Sequence, residues 1–132
     1  VRVERSPAAT LVVCADGLGS GIKANVSALF NISRLLGLMR GGCSLREAFS
    51  RLVSTLNAAR EPGLPYAAFS IARLLPDGHA TVLSYESPPP ILVSYHTASV
   101  LSQHSFERDG AIIGEAQCRL EPHEGLLMVA MV

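Results

Sequence analysis

The sequence lacks tryptophan, has few aromatic residues and holds only three cysteines among its 132 residues. Cys14, Cys43 and Cys118 are an odd number at long spacing, which argues against a disulfide framework and against a Cys-x-x-Cys metal motif. We expect buried or incidental thiols of a reducing compartment, and therefore a cytoplasmic protein. No apolar run reaches the roughly 18 to 20 residues that span a bilayer, so we expect no membrane association.

Surplus charge is absent too, because 11 basic residues balance 11 acidic ones. A non-specific nucleic-acid binder needs excess cation, so we expect no nucleic-acid partner. The balance conceals an uneven distribution: residues 17–60 hold six cations against Glu47, and residues 61–132 hold eight acids against three cations. Three interpretations stay open. The halves face each other, the basic part meets an acidic or phosphorylated partner, or these are solvated helix faces.

The first half of the chain predicts one strand and two helices. The apolar, β-branched run 8–15 predicts a buried strand that ends at Asp16 and Gly17. Apolar residues at helical spacing predict a helix over 22–39, closed by a glycine pair at 41–42. A capping box at 44–47 starts a second helix, which runs to about residue 60. The short glycine turn makes the two helices a helical hairpin.

After a break at 61–65, the sequence pattern of the second half is typical of β-strands. Strands are predicted at 66–75 and 80–85, joined by a turn at 76–79. The prolines at 88–90 predict an extended loop, because they cannot donate to a ladder. Further strands are predicted in the ranges 91–95, 117–120 and 125–132. A strand, two helices and a meander predict an α+β fold, with the helices laid on an antiparallel sheet.

The glycine-rich turn after the first strand fits neither of two common phosphate-binding patterns. A Walker loop needs Gly-Lys-Ser/Thr, but Gly21 is followed by Ile22. A dinucleotide fingerprint begun at Gly17 needs a third glycine where Ile22 stands. Begun at Gly19 it passes only with Ala24 as third residue, and the acid that should end a second strand is missing.

Asp16 is the residue in this turn that carries chemistry. Its carboxylate would repel a phosphate but suits a hard divalent cation, and the Gly17 carbonyl can add a second oxygen. Alternatively, Asp16 caps the following helix or binds loop amides. Both interpretations stay open on spacing alone. Glu86, beside the proline loop, either faces the same cleft or, as we favour, lies at a solvated strand end.

Several segments resemble a family of enzymes when taken in order. The segment Ala15–Asn25 (ADGLGSGIKAN) resembles the aspartate-glycine motif of metal-dependent protein phosphatases, the PPM family, and most closely the bacterial SpoIIE, RsbU and RsbX branch. Weaker similarities follow in family order, and the resemblance spans nearly the whole chain. They are YAAFSI at 66–71, LPDGHA at 75–80, YESPPPILV at 85–93 and EPHEGLLMV at 121–129.

The resemblance implies an αββα-sandwich core and a serine/threonine protein phosphatase that uses two Mn²⁺ or Mg²⁺ ions to activate a water. Carried over by position, Asp16 would be catalytic and bridge the two metals, and the Gly17 carbonyl would ligate one of them. The implied substrate is a phosphorylated regulatory protein, like an anti-sigma-factor antagonist. We expect the basic helical pair, including Arg46 and Arg51, to contact that protein or a regulatory partner.

The chain departs from this family at both ends. The family's upstream Gly-Asp pair would precede Val1, and Met131 stands where a second metal aspartate is expected. We expect residues 1–132 to form a single phosphatase domain that lacks terminal parts of the family core. The competing hypothesis is a non-catalytic, phosphatase-like module that binds a partner.

Overall fold

The computed structural model describes residues 1–19, 21–58, 66–108 and 111–131. Their regular elements are numbered in chain order. These are β1 (Arg2–Arg5), β2 (Thr10–Gly17), α1 (Gly21–Arg40), α2 (Leu45–Ala58), β3 (Ala67–Leu74), β4 (His79–Tyr85), β5 (Ile91–Val93), β6 (Ala98–Val100), β7 (His104–Arg108), β8 (Ala111–Arg119) and β9 (Gly125–Leu127). In the described part of the chain, neither helix is both long enough and apolar enough to cross a membrane.

The strands form two antiparallel sheets. The larger sheet has six strands in the order β1-β2-β3-β4-β8-β7, and the smaller has three in the order β6-β5-β9. Short antiparallel connections join β1 to β2, β3 to β4 and β7 to β8. The two helices are inserted between β2 and β3, which lie side by side in the large sheet. The chain therefore leaves the sheet at the end of β2, forms the helical hairpin and returns to the sheet at the neighbouring strand β3.

The turn between the helices has the bonds of a Schellman motif. Gly42 has a φ of 101°, its N–H donates to Met39 O at 3.1 Å, and the Cys43 N–H donates to Leu38 O at 3.1 Å. The next helix opens with the predicted cap, since Ser44 Oγ accepts from the Glu47 N–H at 3.2 Å. These local bonds fix where α1 ends and where α2 begins.

The main core lies between the helices and one face of the large sheet. The apolar stripe of α2 is buried as its spacing predicts, and Leu35 and Leu36 of α1 join it. Phe69 stacks on Tyr85 with ring centroids 5.6 Å apart, and the Tyr85 hydroxyl donates to Asn57 Oδ1 at 2.9 Å. This bond ties β4 to the last turns of α2.

A second, smaller cluster lies on the opposite face of the large sheet. Ala72, Val82 and Ala116 are buried there, and Leu101, Leu126 and Met128 pack against them. Leu126 belongs to β9 of the small sheet, so this cluster joins the two sheets. The resulting layers are helices, large sheet and small sheet, which confirms the predicted α+β class with a helical pair on antiparallel strands.

Several predicted boundaries need correction. The strand expected at 117–120 is the end of the longer β8, and the strands expected to reach residues 95 and 132 end at Val93 and Leu127. Three short strands were not predicted at all, namely β1, β6 and β7. The break expected at 61–65 and the end of the second helix near residue 60 lie outside the described residues.

Candidate functional site

Asp16 lies where the sequence predicts, at the end of β2. It is paired in register with Ala68 of β3, and Gly17 is paired with Ala67. Strand alternation puts Asp16 and Cys14 on the opposite face from Val13, which belongs to the helix-facing core. The Asp16 carboxylate is therefore on the face of the large sheet that carries the small sheet, and it is partly exposed.

Gly17 is required by the path of the next helix. A Cβ at this position would overlap the backbone carbonyl of Ala24 in the first turns of α1. The Leu18 N–H donates to Tyr66 O at 2.9 Å, which fixes the chain as it leaves β2. Gly19 and Gly21 follow with φ of 92° and 68°, a conformation that favours glycine. The glycines thus let α1 begin directly beside Asp16.

A row of small side chains adjoins Asp16 on its face of the sheet. Cys14, Ser70, Ser84 and Gly114 are successive partners across four strands, and both serines are buried. A Cβ on Gly114 would lie 2.6 Å from Gln103 Oε1 and 2.7 Å from Ser84 Oγ. Burial raises the pKa of the Cys14 thiol, and a hydrogen bond with the Ser70 backbone opposes this. Cys14 is therefore a neutral core residue, as predicted.

Glu86 lies at the same end of the large sheet as Asp16, two strands away. Register places Asp16 beside Ala68 and Tyr85 beside Phe69, so the two acidic residues are separated by two strand spacings, or about 10 Å. The Glu86 N–H donates to Ile112 O at 2.9 Å, and its Oε1 accepts from the Ile112 N–H at 3.0 Å. Its φ of 52° is unusual for a residue with a side chain. The carboxylate thus holds the turned backbone after β4 against β8, whereas we expected a solvated strand end.

The described residues supply oxygen donors of the right kind for a hard cation, but too few of them. Asp16 offers a carboxylate and Gly17 a carbonyl, whereas Mg²⁺ takes six oxygen ligands in octahedral geometry. Among the residues that the structure describes, no three histidine, cysteine, aspartate or glutamate side chains form a group that could hold a metal ion. This donor set does not fit a dinuclear centre.

The basic segment is partly neutralised within the protein. Arg46 of α2 forms an ion pair with Glu115 of β8, and Arg40 of α1 forms one with Glu4 of β1. Hydrogen bonding and charge from Arg46 lower the pKa of Glu115 below its ordinary value of 4.5. The Arg46–Glu115 pair therefore supports the interpretation in which the basic and acidic halves face each other, whereas Arg51 is exposed.

Comparisons by sequence give no relative. No model of a protein family matches the chain, and no curated protein matches it significantly.

Solved structures show clear similarity. The RsbU and RsbW domains of a Mycobacterium tuberculosis protein align with a TM-score of 0.71 and 18% identity, over 89% of this chain and 34% of that one. A Stage II Sporulation E family protein from Thermanaerovibrio acidaminovorans aligns with a TM-score of 0.66 and 19% identity, over 96% and 78%. The phosphatase domain of SpoIIE from Bacillus subtilis gives 0.59 and 18%, over 92% and 53%.

These similarities concern the fold. The chain spans about a third of the first structure and about half of the third. Identities of 18% to 19% carry no residue roles across, so the role of Asp16 rests on its own position and chemistry.

Proposed function

Because the chain has the fold of RsbU and SpoIIE-family phosphatase domains, we propose that residues 1–132 form a single domain of a metal-dependent serine/threonine protein phosphatase. The observation that carries this proposal is the Asp16–Gly17 pair, which ends β2 where the chain turns into α1. The proposed substrate is a phosphorylated regulatory protein, and the proposed cation is Mn²⁺ or Mg²⁺.

The proposal assigns Asp16 one role, that of an anionic oxygen ligand held on a rigid strand. The ladder to Ala68 fixes its backbone, and the Leu18–Tyr66 bond fixes the residues that follow. The donor set described above is incomplete, so the proposal requires acidic ligands from outside the described residues. A bound divalent cation would supply positive charge that favours attack on a phosphoryl group.

The competing function is a phosphatase-like module that binds a partner without hydrolysis. One observation favours it, namely that the described residues do not complete a metal site. The two functions differ in whether Asp16 affects phosphate release or only the local structure.

The deciding experiment measures hydrolysis of p-nitrophenyl phosphate with millimolar Mn²⁺. If residues of the chain outside the described ranges complete the site, we expect Mn²⁺-dependent turnover that falls at least 100-fold in Asp16→Asn, because the substitution removes a ligand charge and keeps the side-chain shape. Asp77→Asn is the matched control. Asp77 is an exposed residue of the β3–β4 turn, so this substitution should leave turnover unchanged.

The contrary result would be an absence of turnover in a chain that circular dichroism shows to be folded. Isothermal titration with Mn²⁺ then separates the remaining cases. Binding that is lost in Asp16→Asn retains the metal role of Asp16 but rejects hydrolysis by this chain. No binding rejects the metal site as well, and favours the partner-binding module.

A further inference from the structure

A cavity of about 130 Å³ lies between α2 and the large sheet, away from Asp16. Four of its lining residues come from α2, and the others come from β4, β7 and β8. They are Arg46, Phe49, Ser50 and Val53 on the helix, and Leu83, Phe106, Ile113 and Glu115 on the strands. The cavity is open on one side and is lined by segments that lie far apart in the sequence.

The inner wall of this cavity is apolar. Phe49, Val53, Leu83 and Ile113 are each at most 5% exposed, so their side chains form an apolar surface under the helix. Phe106 is 45% exposed and forms part of the rim. An apolar space of roughly 150 Å³ accommodates a benzene ring. The volume here therefore suits one six-membered ring.

The mouth of the cavity is polar. Arg46 and Glu115 form an ion pair across it, with side chains 63% and 22% exposed, and Ser50 adds a hydroxyl. These groups offer donors and acceptors to a single polar substituent. A charged substituent would have to compete with one member of the ion pair for the other. A neutral hydroxyl can add a hydrogen bond and leave the pair intact.

We propose that this cavity is a binding site for a small, uncharged, single-ring aromatic of the phenol class. The ring packs against Phe49, Val53 and Ile113, and the hydroxyl lies at the mouth beside Ser50 and Glu115. This site is separate from the Asp16 site and does not depend on the proposed phosphatase function.

Binding here would hold α2 against the strands. One wall of the cavity belongs to the helix and the other to β4 and β8, so the ring fills space between two elements that must separate on unfolding. A ligand that binds the native state alone raises its stability by mass action. We therefore expect phenol to raise the melting temperature, with the increase following the logarithm of phenol concentration once that concentration exceeds the Kd.

The test titrates the folded 132-residue chain with phenol and follows methyl NMR signals and the melting temperature. We expect saturable shifts of the Val53, Leu83 and Ile113 methyl groups, together with a rise in melting temperature. Ser50→Leu should fill the mouth and weaken binding at least tenfold. Ser54→Leu, the same change on the exposed face of α2, should bind phenol like the parent chain.

Three results would overturn the proposal. The first is an absence of saturable shifts at 10 mM phenol in the parent chain. The second is binding in folded Ser50→Leu that equals binding in Ser54→Leu. The third is a shift pattern spread over surface residues, which would indicate non-specific association. The shifts in the parent chain decide the matter by themselves if Ser50→Leu fails to fold.

Discussion

Gly17 is the residue at which the candidate site depends most strictly on side-chain size. Its missing Cβ lets the backbone of α1 cross the end of β2 at Ala24. A methyl group at Gly17 would have to displace the backbone of Ala24, and backbone, unlike a side chain, has no alternative rotamer to adopt. This contact is at the residue next to Asp16, so the stability of the fold and the position of the candidate site depend on the same glycine.

We expect Gly17→Ala to destabilise the protein by about 2 to 3 kcal/mol, the upper range for an overpacked site. Gly37→Ala is the control, because Gly37 lies within α1 and an added Cβ would contact nothing there. That change should stabilise the helix by about 0.5 to 1 kcal/mol. Urea unfolding measures both, and equal effects from the two substitutions would contradict the close approach at Ala24.

Asp16 and Glu86 differ in how far the sequence could predict them. A β-branched run that stops at an acid and a glycine indicates an exposed end of a buried strand, and Asp16 lies there. The bonds of Glu86 with Ile112 join residues 26 apart and depend on a turned backbone with positive φ. Such a contact leaves no local pattern, so the sequence could not indicate it.

At the scale of elements, sequence pattern predicted the helices and strands β2, β3 and β4, but it found only the end of β8, the longest strand, and missed three of the short ones. The capping box and the glycine pair of the helical hairpin are local signals; the bond from the Glu47 N–H to Ser44 Oγ and the bonds of the glycine turn are present. Strands β6 and β7 are short and are exposed where their burial is described, so they have no buried apolar face for a sequence pattern to indicate. Their pairing with β5 and β8 is decided by tertiary contacts instead.

Helix α1 has a buried face and an apolar face that remains exposed. The helical spacing of its apolar residues predicted the helix correctly, but four of the large ones are at least half exposed. These are Ile22, Val26, Leu29 and Phe30. Leu35 and Leu36 are the residues that pack into the core. Spacing alone therefore indicated the helix without showing which of its faces is buried.

This difference predicts unequal effects of truncation along one helix. Leu36→Ala should cost about 2 to 5 kcal/mol, because it leaves a cavity in the core. Phe30→Ala should cost less than about 1 kcal/mol, since half of the ring is already in contact with solvent. Chemical denaturation of both variants checks the ranking. A larger loss in Phe30→Ala would mean that the exposed face of α1 is covered in solution.

At the scale of the whole molecule, ion pairs with acidic residues of the strands neutralise only part of the positive charge on the two helices. The pair between Arg46 and Glu115 joins the halves directly, and the pair between Arg40 and Glu4 joins α1 to β1. Arg51 is exposed on α2, one turn beyond Arg46. The sequence left open whether these charges serve the fold or a partner, and the structure shows that Arg46 and Arg40 form ion pairs within the protein.

Arg51 is therefore the better test of the proposed contact with a phosphorylated partner. Reversal of Arg46 would also break its pair with Glu115, so a loss of affinity could reflect altered packing. We expect Arg51→Glu to weaken binding of a labelled, acidic phosphoserine peptide by about threefold to tenfold, the scale of one exposed ion pair reversed in sign. Fluorescence anisotropy at low and high salt measures the affinity, and the difference should shrink as salt screens the charge.

Arg2→Glu is the matched control for this measurement, because Arg2 is also exposed but lies on β1, at the opposite edge of the large sheet from β7. Its reversal lowers the net charge of the molecule by the same amount as reversal of Arg51. Equal losses in the two variants would mean that the peptide responds to overall charge. No loss in Arg51→Glu would reject a phosphoprotein contact on this face of α2. A loss confined to Arg51→Glu would locate the contact on that helix, separate from the Asp16 end of the sheet.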